Sequence, residues 1–229
     1  MTEQQPPRKL RIGVLALQGA FTEHINLLNR LTDDIEAVIQ IKTPQQLESS
    51  NLDALILPGG ESTTMALIAE RNGLMEPLRG WVRAGKPVWG TCAGLILLSN
   101  TAHRTKQLGQ PLIGGLSVSV KRNAFGTQLN SFVSDLSIPS LGPEPFPAVF
   151  IRAPIIETLD DPSVEVLARV TNSDAGGEGE NIVAVRQGSL LATAFHPELT
   201  ADDRFHRYYL EMVREVRGNL GEGVNTSSS

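Results

Sequence analysis

The chain holds a single cysteine, and its surroundings have the most chemical character in the sequence. Cys92 stands in Trp89-Gly90-Thr91-Cys92-Ala93-Gly94, between a short apolar run, Val88–Thr91, and a helical pattern starting at Ala93. This is a Gly-x-nucleophile-x-Gly elbow with cysteine at its centre. The sharp strand-to-helix turn strains the middle residue, and the glycines on each side relieve the crowding. The sulfur is then expected at the carboxyl edge of a sheet, where open α/β sheets bind ligands. The start of the following helix offers free N–H groups and a positive dipole end, which lower a thiol pKa and can hold an oxyanion. A buried structural thiol is the competing reading of a lone cysteine.

A thiolate nucleophile needs a base and a group that orients the base. His24 and His206 fall in helical patterns and His103 in a polar loop, and all three read as helix-surface or loop residues. His196 differs, because Phe195-His196-Pro197-Glu198 follows the apolar strand Leu190–Ala194. In an extended chain residues i and i+2 point the same way, so Glu198 is expected to reach the imidazole and fix its tautomer. A second glycine turn, Leu57-Pro58-Gly59-Gly60-Glu61-Ser62-Thr63-Thr64, follows a third strand. Its glycines let backbone approach a ligand and aim N–H groups at an oxyanion. Ser62 also reads as a helix N-cap. A phosphate cradle is disfavoured, because the Gly-x-x-x-x-Gly-Lys spacing is missing.

The elements that must carry these turns alternate in the first half. Ile12–Leu17, Ala37–Ile41, Ala54–Leu57 and Val88–Thr91 read as buried strands, with helical patterns from Phe21 to Leu31 and from Ser62 to about Leu78, broken near Asn72-Gly73. That alternation predicts a parallel sheet covered by helices. In the second half Leu116–Arg122, Gln128–Val133, Ala148–Ile151 and Val164–Val170 read as strands without long helices between them, and as antiparallel additions at one edge. Gln187-Gly188-Ser189 marks a hairpin, and an amphipathic helix runs from Asp203 to about Val216. The fold class expected is therefore a single α/β domain over residues 10–217: a mostly parallel central sheet flanked by helices, with antiparallel strands at one edge. Residues 1–9 read as a flexible leader and 218–229 as a flexible tail.

Composition limits the partners. The 229 residues are 41% hydrophobic and 20% charged with net charge −5, which suits a globular protein and disfavours nucleic acid or an anionic membrane. One cysteine excludes an internal disulfide and a cysteine-only zinc cage. Without a signal-peptide pattern or a long apolar run, a cytoplasmic location is expected.

Taken together, the elbow and the later His-Pro-Glu resemble the class I, triad-type glutamine amidotransferases, in that superfamily's order of Cys, His, Glu. Longer strings sharpen the resemblance: Ala16-Leu17-Gln18-Gly19-Ala20-Phe21-Thr22-Glu23-His24, Leu57 through Met65, and Arg122-Asn123-Ala124-Phe125-Gly126. These are similar to the glutaminase subunits of pyridoxal 5′-phosphate synthases, and the likeness runs from about Arg11 to Val216. It implies hydrolysis of L-glutamine to glutamate and ammonia, with Cys92 as nucleophile, His196 as acid and base, and Glu198 orienting His196. It implies an oxyanion hole at Gly60 and Ala93, and glutamine contacts at Gly60, Glu61, Ser62, Arg122, Ile151 and Arg152. It also implies activation near Gln18 by a separate synthase subunit, with no cofactor and no metal. The loops Thr101–Leu112 and Ile138–Pro147 are longer than the compact pattern of that family.

Overall fold

Four strands of continuous apolar sequence lie side by side in parallel, and each ends in one of the turns singled out above. The computed structural model describes residues 8–103, 110–122, 131–171 and 179–225, the last seven by backbone alone. The strands are β1 (Leu10–Leu15), β2 (Ile35–Ile41), β3 (Ala54–Leu57), β4 (Val88–Thr91), β5 (Ser99–His103), β6 (Leu116–Lys121), β7 (Ser131–Leu136), β8 (Phe146–Ile151), β9 (Ile155–Leu159), β10 (Glu165–Thr171), β11 (Glu180–Gln187) and β12 (Leu190–Thr193). The helices are α1 (Phe21–Leu28), α2 (Pro44–Ser49), α3 (Ser62–Arg71), α4 (Met75–Arg83), α5 (Ala93–Leu98) and α6 (Arg204–Asn225). Among the described residues the main sheet runs β2-β1-β3-β4-β12-β11-β9-β6-β5, with β10 also paired to β11. The pairings β1–β2, β1–β3, β3–β4 and β4–β12 are parallel. Every residue of β3, β4 and β12 is buried, as strands covered on both faces require.

Beyond β12 the chain turns antiparallel, through β11, β10, β9 and β6, and closes on the parallel pair β5–β6. The strands expected at 128–133 and 148–151 do not join this edge. They appear as β7 and β8, an antiparallel pair forming a separate two-stranded sheet; residues 128–130 lie outside the described residues. The reason is aromatic. Phe132 stacks on Phe150 at 4.6 Å and 7°. Phe146 and Phe150 meet Phe195 at 6.0 and 5.5 Å, and Phe195 meets Phe205 of α6 at 5.4 Å. Each such pair adds roughly 0.5–1.5 kcal/mol beyond buried area, so the pair of strands packs over the residue preceding His196.

The helices follow their sequence signals. α3 and α4 break at Asn72 and Gly73, where Gly73 has φ +70°. α2 was not expected, although Thr43-Pro44-Gln45-Gln46 carries a capping box: Thr43 takes the Gln46 N–H and the Gln46 side chain takes the Thr43 N–H. α6 begins at Arg204 and continues past Val216 to Asn225. It buries Phe205, His206, Tyr209, Leu210, Met212 and Val213 on one face, and Tyr209 donates to the Leu55 carbonyl at 2.7 Å. Phe205 stacks on Trp89 of β4 at 5.7 Å. None of the helices in the described residues is long and apolar enough to cross a membrane.

Glycine controls how closely the elbow packs. A methyl group on Gly94 would lie 2.0 Å from the Leu57 carbonyl oxygen, and one on Gly90 would lie 2.5 Å from Gly94 backbone. Neither neighbour is a flexible side chain that could move away. Gly94→Ala is expected to lower stability by about 1–3 kcal/mol, as overpacking does. Gly80 of α4 has no such neighbour within 4 Å, and Gly80→Ala is expected to be neutral or to raise stability by up to about 1 kcal/mol. Urea denaturation of the two variants checks the contrast.

Candidate active site

The functional turns converge because β1, β3, β4 and β12 are neighbours and run the same way. Gln18-Gly19-Ala20 follows β1, Gly59-Gly60-Glu61 follows β3, Cys92 follows β4, and Phe195-His196 follows β12. A cavity of about 450 Å³ opens at that edge, in the range of small-molecule sites. Gly60, Glu61, Ser62, Cys92, Arg122, Ile151, Arg152 and His196 all line it, with Gly19, Ala20 and Gly59. Ala93 opens α5 beside Cys92, where the first N–H groups of a helix lack intrahelical partners. Glu198 and Gln18 stand behind the lining. Asn123–Gly126 lies outside the described residues.

Cys92 has φ 48° and ψ −98°, the strained backbone an elbow imposes. Such a conformation costs on the order of 1–3 kcal/mol in a residue other than glycine. Its N–H donates to the Thr193 carbonyl at 2.8 Å, which ties the elbow to β12. The thiol is 6% exposed and lies 3.9 Å from the Ile151 carbonyl oxygen. Arg152 has φ 44°, so the end of β8 is also strained where it enters the cavity.

His196 is held from three sides. Its N–H donates to the Val149 carbonyl of β8 at 2.8 Å. Its Nδ1 is 2.7 Å from Glu198 Oε1. Gly59 packs against the ring so closely that a methyl group there would meet Cε1 at 2.1 Å. The extended path expected for 196–198 is not found. Pro197–Leu199 forms a 3₁₀ turn, because the fixed φ of Pro197 suits a first helical position, and the turn still brings the carboxylate to the ring. Burial by itself would lower the His196 pKa. Hydrogen bonding and charge from Cys92 and Glu198 outweigh it and raise the value from 6.5 to about 10. The His196 ring is therefore held as an imidazolium, with Cys92 and Glu198 beside it.

Glu61, not Ser62, caps α3. Its carboxylate accepts from Thr63 N at 3.1 Å, Thr64 N at 2.7 Å and Thr64 Oγ1 at 2.7 Å. Partial burial alone would raise its pKa, but these bonds bring it down to about 2. Ser62 instead donates to Gln110 Oε1 at 3.1 Å. Arg122 binds Glu61 Oε1 at 3.2 Å and Gln110 Oε1 at 2.9 Å. A guanidinium and a carboxylate thus stand side by side at the cavity. Gln18 Oε1 accepts the Glu61 N–H at 2.7 Å, and the Gly59 carbonyl accepts the Ala20 N–H at 2.9 Å, so the turn after β1 clasps the glycine turn at both ends.

His24 and His206 were expected on helix surfaces, and both are fully buried. Their helices turn those faces inward with Leu27, Leu28, Phe205 and Tyr209. The signal was present in the apolar neighbours at i+3 and i+4. His24 Nε2 lies 3.3 Å from Glu198 Oε2 and 3.2 Å from Thr91 Oγ1, immediately behind the cysteine elbow.

Residues 14–215 match the model of the SNO glutamine amidotransferase family. The chain is 47% identical over 241 residues to a probable pyridoxal 5′-phosphate synthase subunit PDX2 of Arabidopsis thaliana, covering 96% of this chain and 91% of that protein. It is 51% identical over 202 residues to the pyridoxal 5′-phosphate synthase subunit PdxT of Pelotomaculum thermopropionicum, covering 88% and 94%. A crystal structure described as a glutamine amidotransferase is 44% identical, with TM-score 0.75, over 89% of this chain and 98% of that one.

Histidine titration checks the electrostatics. Because the folded pKa is raised, the His196 charge favours the fold fully below about pH 6.5, and that contribution is lost as pH rises through about 10. The ring should stay protonated through neutral pH in NMR spectra of the wild type. In Cys92→Ala its pKa should fall, since one of the two supporting partners is gone. A wild-type ring titrating near 6.5 would contradict the ion-pair reading.

Proposed function

The chain belongs to the SNO glutamine amidotransferase family, and from that premise we propose that it is the glutaminase subunit of a pyridoxal 5′-phosphate synthase. It hydrolyses L-glutamine to L-glutamate and ammonia, and the ammonia passes to a separate synthase subunit. The observation that carries the proposal is the meeting of Cys92 and His196 at one cavity that also presents Arg122 beside Glu61, with Glu198 bonded to His196 behind the lining.

The reading assigns a group to each step. The Cys92 thiolate attacks the side-chain amide carbon of glutamine. The oxyanion that forms takes N–H donors from Gly60 and Ala93, a contribution worth about 10²–10³ in rate per donor. The His196 imidazolium gives its proton to the departing nitrogen, so ammonia leaves and a γ-glutamyl thioester remains. His196, now neutral, takes a proton from water, and the hydroxide so formed cleaves the thioester to glutamate. Glu198 keeps Nδ1 protonated and the ring turned toward the sulfur. An amino-acid substrate suits the far end of the cavity, where the Arg122 fork can take the α-carboxylate and Glu61 the α-ammonium. Ser62, Ile151 and Arg152 complete the walls.

Control follows from the glycine turn. On this reading the Gly59–Gly60 peptide carries the Gly60 oxyanion donor; Ala20 N–H holds its carbonyl, and Gln18 Oε1 accepts the next N–H, that of Glu61. A synthase subunit docking near Gln18 would set the orientation of that donor, so the lone chain is expected to be a poor glutaminase. A catalytic thiol must stay reduced, which supports a cytoplasmic setting.

Ammonia release with and without a synthase subunit tests the reading. Activity should rise on the order of 10²-fold or more with the partner, and Gln18→Ala should blunt the rise. Cys92→Ala should remove several orders of magnitude of rate in the complex. Release near the wild-type level in that variant would remove the proposal. Arg122→Lys should raise the KM for glutamine roughly tenfold or more with kcat less affected, since lysine keeps the charge but not the fork. An unchanged KM would place Arg122 outside the carboxylate site.

A further inference from the structure

Behind Glu198 lies a line of buried polar groups that the reaction as described leaves without a task. Glu198 has a fully buried side chain; its Oε1 is taken by His196, and its Oε2 has no hydrogen bond in the structure. The group facing that oxygen is His24 Nε2 at 3.3 Å, on an edge that also makes the 3.2 Å contact with Thr91 Oγ1. The opposite nitrogen, His24 Nδ1, is 3.0 Å from His206 Nε2, and His206 Nδ1 has no partner. We propose that His24 is a positioning residue for the triad: its Nε2–H stands between Thr91 and Glu198 and holds the buried carboxylate turned toward His196, while His206 fixes the His24 tautomer. The role in catalysis rests on the glutaminase reading; the proton arrangement does not.

Counting donors decides the tautomers. One proton lies between His24 Nδ1 and His206 Nε2. If His24 Nδ1 carried it, a neutral His206 would need its proton on Nδ1, where a buried donor has no acceptor. His24 Nε2 would then turn a lone pair toward a carboxylate. If His206 Nε2 carries it, His24 has its proton on Nε2, facing two oxygens. Of the four ring nitrogens only His206 Nδ1 is then without a partner, as a lone pair, and an orphaned acceptor is tolerated better than an orphaned donor. Burial supports neutral rings at both sites. It lowers the His24 pKa well below the usual value, reinforced by repulsion from His196 and from His206 whenever that ring is protonated, and it brings His206 down to about 3 against the opposing pull of Asp203.

A buried carboxylate with one oxygen unsatisfied is costly, and removing the ring that faces that oxygen leaves the carboxylate freer to turn. The place of His24 in the fold suits the task. It lies in α1, which starts one residue after Ala20, and its ring meets Trp89 of β4 edge-on at 5.5 Å. The same short helix therefore follows the clasp on the glycine turn and backs the carboxylate of the triad.

Two experiments test the proposal. In ¹⁵N-histidine-labelled protein, long-range ¹H–¹⁵N spectra, assigned with His24→Gln and His206→Gln, should show both rings neutral at pH 7 with the proton on Nε2. A His24 proton on Nδ1 would overturn the proposal, whether or not the protein hydrolyses glutamine. In the complex with the synthase subunit, His24→Leu should lower kcat roughly 10- to 100-fold with KM for glutamine within about twofold. His24→Gln, whose amide offers an N–H near the same point, should recover most of the loss. Full activity in the leucine variant, or equal losses in both variants with a changed KM, would reduce His24 to a packing residue. If the leucine variant does not fold, the tautomer measurement decides. A wild-type complex that releases no ammonia counts against the glutaminase reading and leaves the tautomer test standing.

Discussion

Gly94 lies against the Leu57 carbonyl with no room for even one more carbon, and the position of Cys92 follows from that contact. α5 can start directly from the end of β4 only if its first turn nests against β3. Cys92 must then take a left-handed backbone, at a cost that the buried parallel sheet beneath it bears. The same contact brings the end of β3 close enough for the glycine turn to share a cavity with the sulfur. Helix start, strained Cys92 backbone and neighbouring glycine turn are thus one geometric decision.

Charge placement builds on that frame. A buried imidazolium at His196 would be expensive alone, and Cys92 and Glu198 beside it offset that cost. The separate β7–β8 sheet makes this possible by setting Phe146 and Phe150 on Phe195 and a carbonyl on the His196 N–H. Removing water from around the pair strengthens it. The two histidines behind Glu198 stay neutral for the opposite reason: burial there is met by no opposing charge strong enough to keep either ring protonated.

Much of this could be read from local sequence. The parallel strands were visible as continuous apolar runs, and the elbow as glycines around one cysteine, because both are dictated by neighbours in the chain. The triad pairing of His196 with Glu198 was foreseen, but through an extended path. Pro197 instead starts a 3₁₀ turn, a choice of local backbone that the i, i+2 rule does not capture. Glu61 as the cap of α3 was missed because serine is the commoner cap and the Thr63-Thr64 donors favour a carboxylate. β7 and β8 read as edge strands because their destination is set by aromatic contacts across the chain, not by their own pattern. The burial of His24 and His206 also depends on contact at a distance, since they are 182 residues apart in sequence and meet only when α1 and α6 pack on Trp89.

The central claim is a covalent one: glutamine is opened by Cys92. Mixing the complete complex with glutamine, quenching in acid within the first turnover and mapping the peptides by mass spectrometry tests it most directly. The account predicts a γ-glutamyl group on the peptide bearing Cys92, appearing before free glutamate and absent after alkylation of the thiol. Ammonia released at full rate with no adduct on Cys92, or with the adduct on another residue, would contradict it.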